Sequence, residues 1–454
     1  MKHIHILGIC GTFMGSLAVI ARQCGWKVTG SDINVYPPMS TYLSDMEIDI
    51  ITGFDVQQLD SQPDLVIIGN GMKRGMPIIE YILNSNIPYL SGPEWLYKYV
   101  LKYKKVIAVA GTHGKTTTSS LLTKILDDAG FNPSFLIGGI TQDFNVSSRL
   151  TDSEYFVIEA DEYDTAFFDK RSKFMHYNPE ILVINNLEFD HADIFDDMKD
   201  IYRQFHYLVR SMPSKAKIIY PNEDVHVRYL LNMGCWSEKV GINIKSNINV
   251  LEDDFSSFSL FCGGDLVNIN WTHFGLHNAS NALSAYTVAN IIGIDSSSVQ
   301  KSCYDFKGVK RRLECLYRDK NSIIYDDFAH HPTAVLNTLK AIKAKANKTE
   351  KVVAIIEPGS NSMKKGVHRQ DLCDSLDYAD EVWFYQHKDM QWHVNDVVNK
   401  RKFVVFVCIE DILSSFEKNG NTSTFYHYVI MSNSGFGGLQ KKLQISAKSG
   451  VNAN

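Results

Sequence analysis

From residue 3 onward, short apolar runs alternate with helix-length segments, and most of the runs stop at a glycine or a polar loop. Runs at 3–7, 65–68, 106–109, 156–158, 181–184, 352–356, 381–385 and 428–431 are each long enough for one buried strand. A strand that is apolar along its whole length needs cover on both faces, which a parallel sheet flanked by helices provides. The alternation therefore predicts an α/β chain built on parallel sheets. Ligands in such folds gather where strands end in loops, so the loops after these runs are where chemistry is sought.

The chain has 454 residues, more than one core usually organises. A basic stretch at 97–105 separates a first nucleotide-type βα unit from the strand starting at Val106, and FKGVKRRLE at 306–314 closes the middle region. Three α/β domains are predicted: 1–104, Rossmann-like; 105–310, a P-loop ATPase with a parallel sheet; and 311–454, Rossmann-like again. A formal net charge of -5 with no long basic run gives no general attraction to nucleic acid. Eight cysteines without a CxxC pair read as reduced thiols, not as a zinc site or a disulfide framework. The first apolar stretch is broken by His5, Gly8, Gly11 and Gly15, unlike a signal peptide, and no run of about 18 apolar residues follows it. A soluble cytoplasmic protein, acting as a monomer on small molecules without nucleic acid or membrane, is expected.

The strongest chemical signal is the run at 106–110 followed by GTHGKTTT at 111–118 and a helical segment. A strand feeding a tight glycine loop can aim backbone N–H groups at phosphate oxygens, with the positive end of the next helix behind them. Gly111, Thr112, His113 and Gly114 form the loop, Lys115 would neutralise phosphates, and Thr116 would offer its hydroxyl to Mg²⁺. Val109 stands where the usual P-loop has its first glycine, so this loop is shorter and starts at Gly111.

Other candidates also follow strands. Glu159 and Asp161 come after the run at 156–158, and NNLEFDH, ending at His191, comes after 181–184. Acidic groups and a histidine at the ends of neighbouring strands can meet at one cation. Gly8, Gly11 and Gly15, with Asp32 after the next strand, resemble a dinucleotide fingerprint, but Cys10 occupies its second glycine position. Phosphate binding with Asp32 on a ribose hydroxyl and a purely structural turn both remain open there. Asn278 and Asn281, three apart on one helical face, either cap that helix or meet a purine edge. DDFAHHP at 326–332 suits either a nucleotide or metal site or a helix cap.

Taken in order, GTHGKTTT, EADE, NNLEFDH, HNASNA, GVKRRLE and DDFAHHP resemble the Mur ligase family across nearly the whole chain. The resemblance implies a UDP-sugar domain, a central ATPase domain and a C-terminal domain that closes over the site. It implies that ATP phosphorylates a substrate carboxylate and that an amine then attacks the acyl phosphate. Lys115 would hold the ATP phosphates, Thr116 and Glu159 one Mg²⁺, and His191 a second. Asn278 and Asn281 would contact the adenine region, and Arg312 and Asp327 would complete the nucleotide site. Some members use a carbamylated lysine; the matching stretch at 202–207 (YRQFHY) has none.

Within the family, GTFMG, NNLEFDHADIFDD, SNSMKKG and MSNSGFGG are most similar to members joining UDP-N-acetylmuramate to the tripeptide L-alanyl-γ-D-glutamyl-meso-diaminopimelate in peptidoglycan recycling. Gly8, Gly11, Gly15 and Asp32 would then serve the UDP-sugar, and Ser360, Asn361 and Met363 the peptide. At Gly359 those members carry an arginine, which could pair with a peptide carboxylate where glycine cannot. The alternatives are UDP-N-acetylmuramate–L-alanine ligation and, in other classes, an NAD-dependent oxidoreductase built on the Gly8 turn or a slow ATP-hydrolysing switch.

Overall fold

A computed structural model describes residues 1–35, 39–190, 194–397, 402–420 and 422–451. They group into two compact units. One contains Met1–Glu188, Lys199–Ile244 and Ser284–Ser302; the other contains Phe189–Met198, Lys245–Leu283 and Cys303–Asn454.

The first unit holds two sheets. Strands β1 (His3–Leu7), β2 (Lys27–Asp32), β3 (Asp49–Thr52), β4 (Leu65–Ile68) and β5 (Tyr89–Ser91) are all parallel, in the order β3-β2-β1-β4-β5. The chain reverses its direction across the sheet between β1 and β4, which puts the loop after β1 at a topological switch point. The second sheet uses β6 (Lys105–Ala110), β7 (Ser134–Leu136), β8 (Ser148–Arg149) and β9 (Tyr155–Glu159). A small antiparallel hairpin, β10 (Asp164–Ala166) and β11 (Asp169–Ser172), follows before β12 (Ile181–Ile184), β13 (Lys217–Pro221) and β14 (Glu238–Ile242) complete it. The order is β14-β13-β12-β6-β9-β7-β8, parallel except for β8. Because β6 lies between β9 and β12, the loops after these three strands come together.

In the second unit, β15 (Ile248–Val250), β16 (Ser257–Cys262) and β17 (Asp265–Asn270) form an antiparallel sheet. A six-stranded sheet follows: β18 (Glu314–Arg318), β19 (Ser322–Asp327), β20 (Lys351–Ile356), β21 (Glu381–Tyr385), β22 (Phe403–Phe406) and β23 (Tyr426–Met431). Its order is β18-β19-β23-β20-β21-β22, with β18 alone antiparallel. Alternate residues of its central strands enter two separate cores. Ile323, Val352, Ala354, Val429 and Met431 pack with Val335, Leu339 and Leu372 on one face, while Ile324, Val353, Ile355, Tyr428 and Ile430 meet Ile412, Phe416, Leu439 and Leu443 on the other. Period-two alternation along a strand, with helices on both faces, is why these strands read as unbroken apolar runs.

All eight runs expected to be strands are strands. Among the described residues, no helix is long and apolar enough to cross a membrane.

Candidate active site

β6 ends at Ala110, and the loop 111–114 turns the chain into the helix Lys115–Asp128, which packs on β6 and β9. Gly111 has φ 121°, and a Cβ there would sit 2.7 Å from the Asn186 carbonyl oxygen, so a side chain is excluded on both counts. Gly114 is left-handed at φ 80° and stands as the helix N-cap.

The loop after β12 holds this turn in shape. The N–H of Thr112 donates to the Asn186 carbonyl at 3.1 Å, and that of His113 donates to Asn186 Oδ1 at 2.8 Å. Asn185 Nδ2 reaches Thr118 Oγ1 at 3.1 Å, the Glu188 N–H donates to Thr112 Oγ1 at 2.9 Å, and His113 Nε2 lies 3.3 Å from Glu188 Oε2. Two loop N–H groups expected to face phosphate are thus spent inside the protein. The first helical turn beyond Gly114, whose N–H groups no helical carbonyl can reach, is what remains to cradle an anion.

Lys115 Nζ donates to the Gly111 carbonyl at 2.7 Å and to Glu162 Oε2 at 3.0 Å, with side-chain exposures of 11% for Lys115 and 5% for Glu162. Burial works against the ammonium, but Glu162, Asp161 and Glu159 outweigh it and raise its pKa. Thr116, buried, donates from Oγ1 to Glu159 Oε1 at 3.0 Å, and the Gly138 N–H holds Glu159 Oε2 at 2.7 Å. Sequence reasoning singled out Glu159 and Asp161 but missed Glu162 and Gly138. Glu162 had a signal, its place in EADE; Gly138 had none, because only the fold brings it beside β9.

At the first sheet, Gly8 has φ 82° and donates its N–H to the Ser31 carbonyl at 2.8 Å. Asp32 accepts from the Cys10 N–H and the Asn34 N–H, both at 3.0 Å, so its carboxylate braces the glycine turn. Gly11 is the N-cap of the helix Thr12–Gln23, without a side-chain cap, and Gly15 lies buried in that helix. The helix also contacts the second sheet. Ser16 Oγ is 2.8 Å from Ser147 Oγ, and the Leu150 N–H donates to Gln23 Oε1 at 2.9 Å.

In the second unit, Asp327 is buried and accepts from the N–H groups of Leu313 (2.8 Å) and Ala329 (2.7 Å). Burial raises its pKa against the pull of Arg312. Arg312 lies over the Phe328 ring at 4.9 Å. Its neighbour Arg311 donates to the carbonyls of Ser432 and Ser434, each at 2.7 Å. Asn278 and Asn281 are buried in the helix Leu276–Ile292; Asn278 Nδ2 donates to the Phe274 carbonyl, four residues back, at 2.9 Å, whereas a capping side chain would accept a backbone N–H. Ser360 caps the short helix Asn361–Lys365 through the Met363 N–H, Asn361 is exposed, and the Met363 side chain lies in the core. His331 caps the helix Pro332–Lys345. His191 lies outside the described residues.

Family profiles match in three consecutive stretches: residues 3–104 the Mur ligase family catalytic domain, 109–289 the Mur ligase middle domain, and 311–418 the Mur ligase glutamate ligase domain. The chain belongs to the Mur ligase family. This Mur ligase is 47% identical, over 97% of each chain, to the UDP-N-acetylmuramate–L-alanyl-γ-D-glutamyl-meso-2,6-diaminoheptandioate ligase of Escherichia coli strain K12. It is 40% identical to the crystal structure of a murein peptide ligase from Psychrobacter arcticus, with TM-score 0.74 and 98% of both chains covered. Against the UDP-N-acetylmuramate–L-alanine ligase of Alkaliphilus metalliredigens identity falls to 31%, over 84% of this chain and 82% of that one. As a Mur ligase the chain is an ATP-using enzyme that forms a C–N bond, which sets aside the oxidoreductase built on the Gly8 turn and the slow ATP-hydrolysing switch.

Proposed function

We propose that this Mur ligase joins UDP-N-acetylmuramate to L-alanyl-γ-D-glutamyl-meso-diaminopimelate, returning a murein tripeptide to peptidoglycan synthesis in the cytoplasm. The observation that carries the reading is its 47% identity, across nearly the full length, with the Escherichia coli ligase named for those substrates. We assign residues 1–104 to the UDP-sugar, 105–310 to ATP and 311–454 to the peptide, and we expect a monomer.

An amide cannot form directly from a carboxylate, whose oxygen is a poor leaving group; phosphorylation by ATP makes an acyl phosphate that the peptide amine attacks. The chain's part is to hold the reactants and offset crowded negative charge. Lys115, kept protonated by Glu162, binds the transferring phosphate end of ATP, and the first turn of its helix directs N–H groups at the same phosphates. The donor set of Thr116 hydroxyl and Glu159 carboxylate, hard oxygens 3.0 Å apart at the phosphate loop, fits Mg²⁺. When bound, that ion supplies charge neutralisation at the phosphates. His191, Asn278, Asn281, Arg312 and Asp327 keep their family roles as part of this proposal, and Ser360 and Asn361 are the peptide candidates.

The reading is tested by coupling ATP consumption to substrate addition. Turnover should need UDP-N-acetylmuramate and the tripeptide together. Equal consumption with either omitted would remove ligation from the mechanism.

A further inference from the structure

The hairpin β10–β11 ties the two sheets of the first unit together. Ala166 is buried in the core formed by Leu7, Val66 and Ile68 of the first sheet, and the Phe168 ring meets Tyr89 edge-on at 5.1 Å. Lys173 follows directly after β11, and its N–H donates to the Tyr163 carbonyl at 2.9 Å. Its ammonium donates to Asp161 Oδ2 at 3.1 Å and lies 5.3 Å from the Phe13 ring centre and 5.6 Å from that of Tyr163.

These contacts put one cation between two loops. Phe13 is the second residue of the helix that begins at the Gly8–Gly11 turn, and Asp161 is two residues beyond Glu159 at the phosphate loop. A substrate anchored by its UDP at the first loop and reacting with ATP at the second must carry its carboxylate through this gap. That carboxylate meets Glu159, Asp161 and Glu162, three like charges, while Lys115 is already engaged by Glu162 and the Gly111 carbonyl. A second cation at the gap offsets the repulsion. Lys173 has the properties this needs, since its side chain is 12% exposed, the faces of Phe13 and Tyr163 flank its ammonium, and Asp161 takes one of its three N–H donors.

We propose that Lys173 pairs with the reacting carboxylate of the UDP-sugar substrate and positions it for phosphorylation. This rests on the function proposed above, and names the group that Lys173 recognises.

The test compares UDP-N-acetylmuramate with UDP-N-acetylglucosamine, the same nucleotide sugar without the lactyl carboxylate. Binding of each to the full-length wild type, K173M and K173R is measured by calorimetry with a non-hydrolysable ATP analogue present. Wild type should prefer the muramate, and K173M should lose about tenfold or more of muramate affinity, the scale of one charged hydrogen bond. Its glucosamine affinity should stay within about twofold, and K173R should retain most of the preference. Equal weakening toward both sugars, or a preference intact in K173M, overturns the proposal. K173Q, which can still hydrogen-bond Asp161, gives the same comparison if K173M does not fold. A wild type that binds neither sugar instead overturns the functional reading itself, and this inference with it.

Discussion

Removing the Lys115 ammonium would leave Glu162 a buried carboxylate without its counter-charge. Lys115→Ala should therefore lower ligation by roughly 100-fold or more, through lost stabilisation of the phosphates. It should also destabilise the fold by about 3 kcal/mol, because one half of a buried pair remains. Lys115→Ala with Glu162→Gln should recover most of that stability in urea unfolding and none of the activity; full activity in either variant contradicts the assignment. Asp326 offers a pH test. Burial lifts its pKa to about 6 despite Arg311, above the ordinary 3.8, so the folded state holds that proton more tightly than the unfolded chain does. Its contribution to stability is greatest below the unfolded value and falls as pH rises toward 6. Asp326→Asn should gain on wild type by up to about 3 kcal/mol between pH 4 and 7. A constant difference across that range would show that Asp326 does not titrate there. At this scale the sequence revealed the charged residues better than their partners. Lys115 and Glu159 stand in recognisable motifs, whereas the Lys115–Glu162 pairing depends on how the loop after β9 folds back. Met363, read as a peptide candidate from its motif, packs into the core.

Among elements, the phosphate loop depends on one backbone conformation. Gly111→Ala places a Cβ against the Asn186 carbonyl at a φ of 121°, so it should cost about 1–3 kcal/mol and abolish nucleotide binding. Unchanged ATP affinity in a fluorescent-nucleotide titration would contradict the loop geometry. Gly359 poses a different question. A Cβ there would lie 2.7 Å from Asn433 Oδ1, a buried acceptor without a partner, so Asn433 occupies the space next to the missing side chain. Gly359→Arg should destabilise the protein unless Asn433 is shortened to Gly as well, measured as thermal midpoints of the single and double variants; equal midpoints would show that the loop adapts. The parallel strands were legible because burial on both faces makes them continuously apolar. The β15–β17 sheet was not, since a one-sided strand such as Asp265–Asn270 carries only three apolar residues. The hairpin β10–β11 was also missed. Its strands are short and largely polar, and its buried anchor, Ala166, packs against strands far away in sequence.

For the whole molecule, the alternating strands revealed the α/β class, and the ordered motifs revealed the family. The grouping of the first two sheets into one unit was not foreseen, because contacts such as Ser16–Ser147 join segments 131 residues apart. The choice of amine is a property of the complete enzyme, and the proposed function turns on it. The most direct measurement supplies the full chain with ATP, Mg²⁺, UDP-N-acetylmuramate and equal amounts of L-alanine and the tripeptide, and weighs the products by mass spectrometry. UDP-N-acetylmuramoyl-tripeptide is the main product expected of a recycling ligase. UDP-N-acetylmuramoyl-L-alanine in its place would contradict that function.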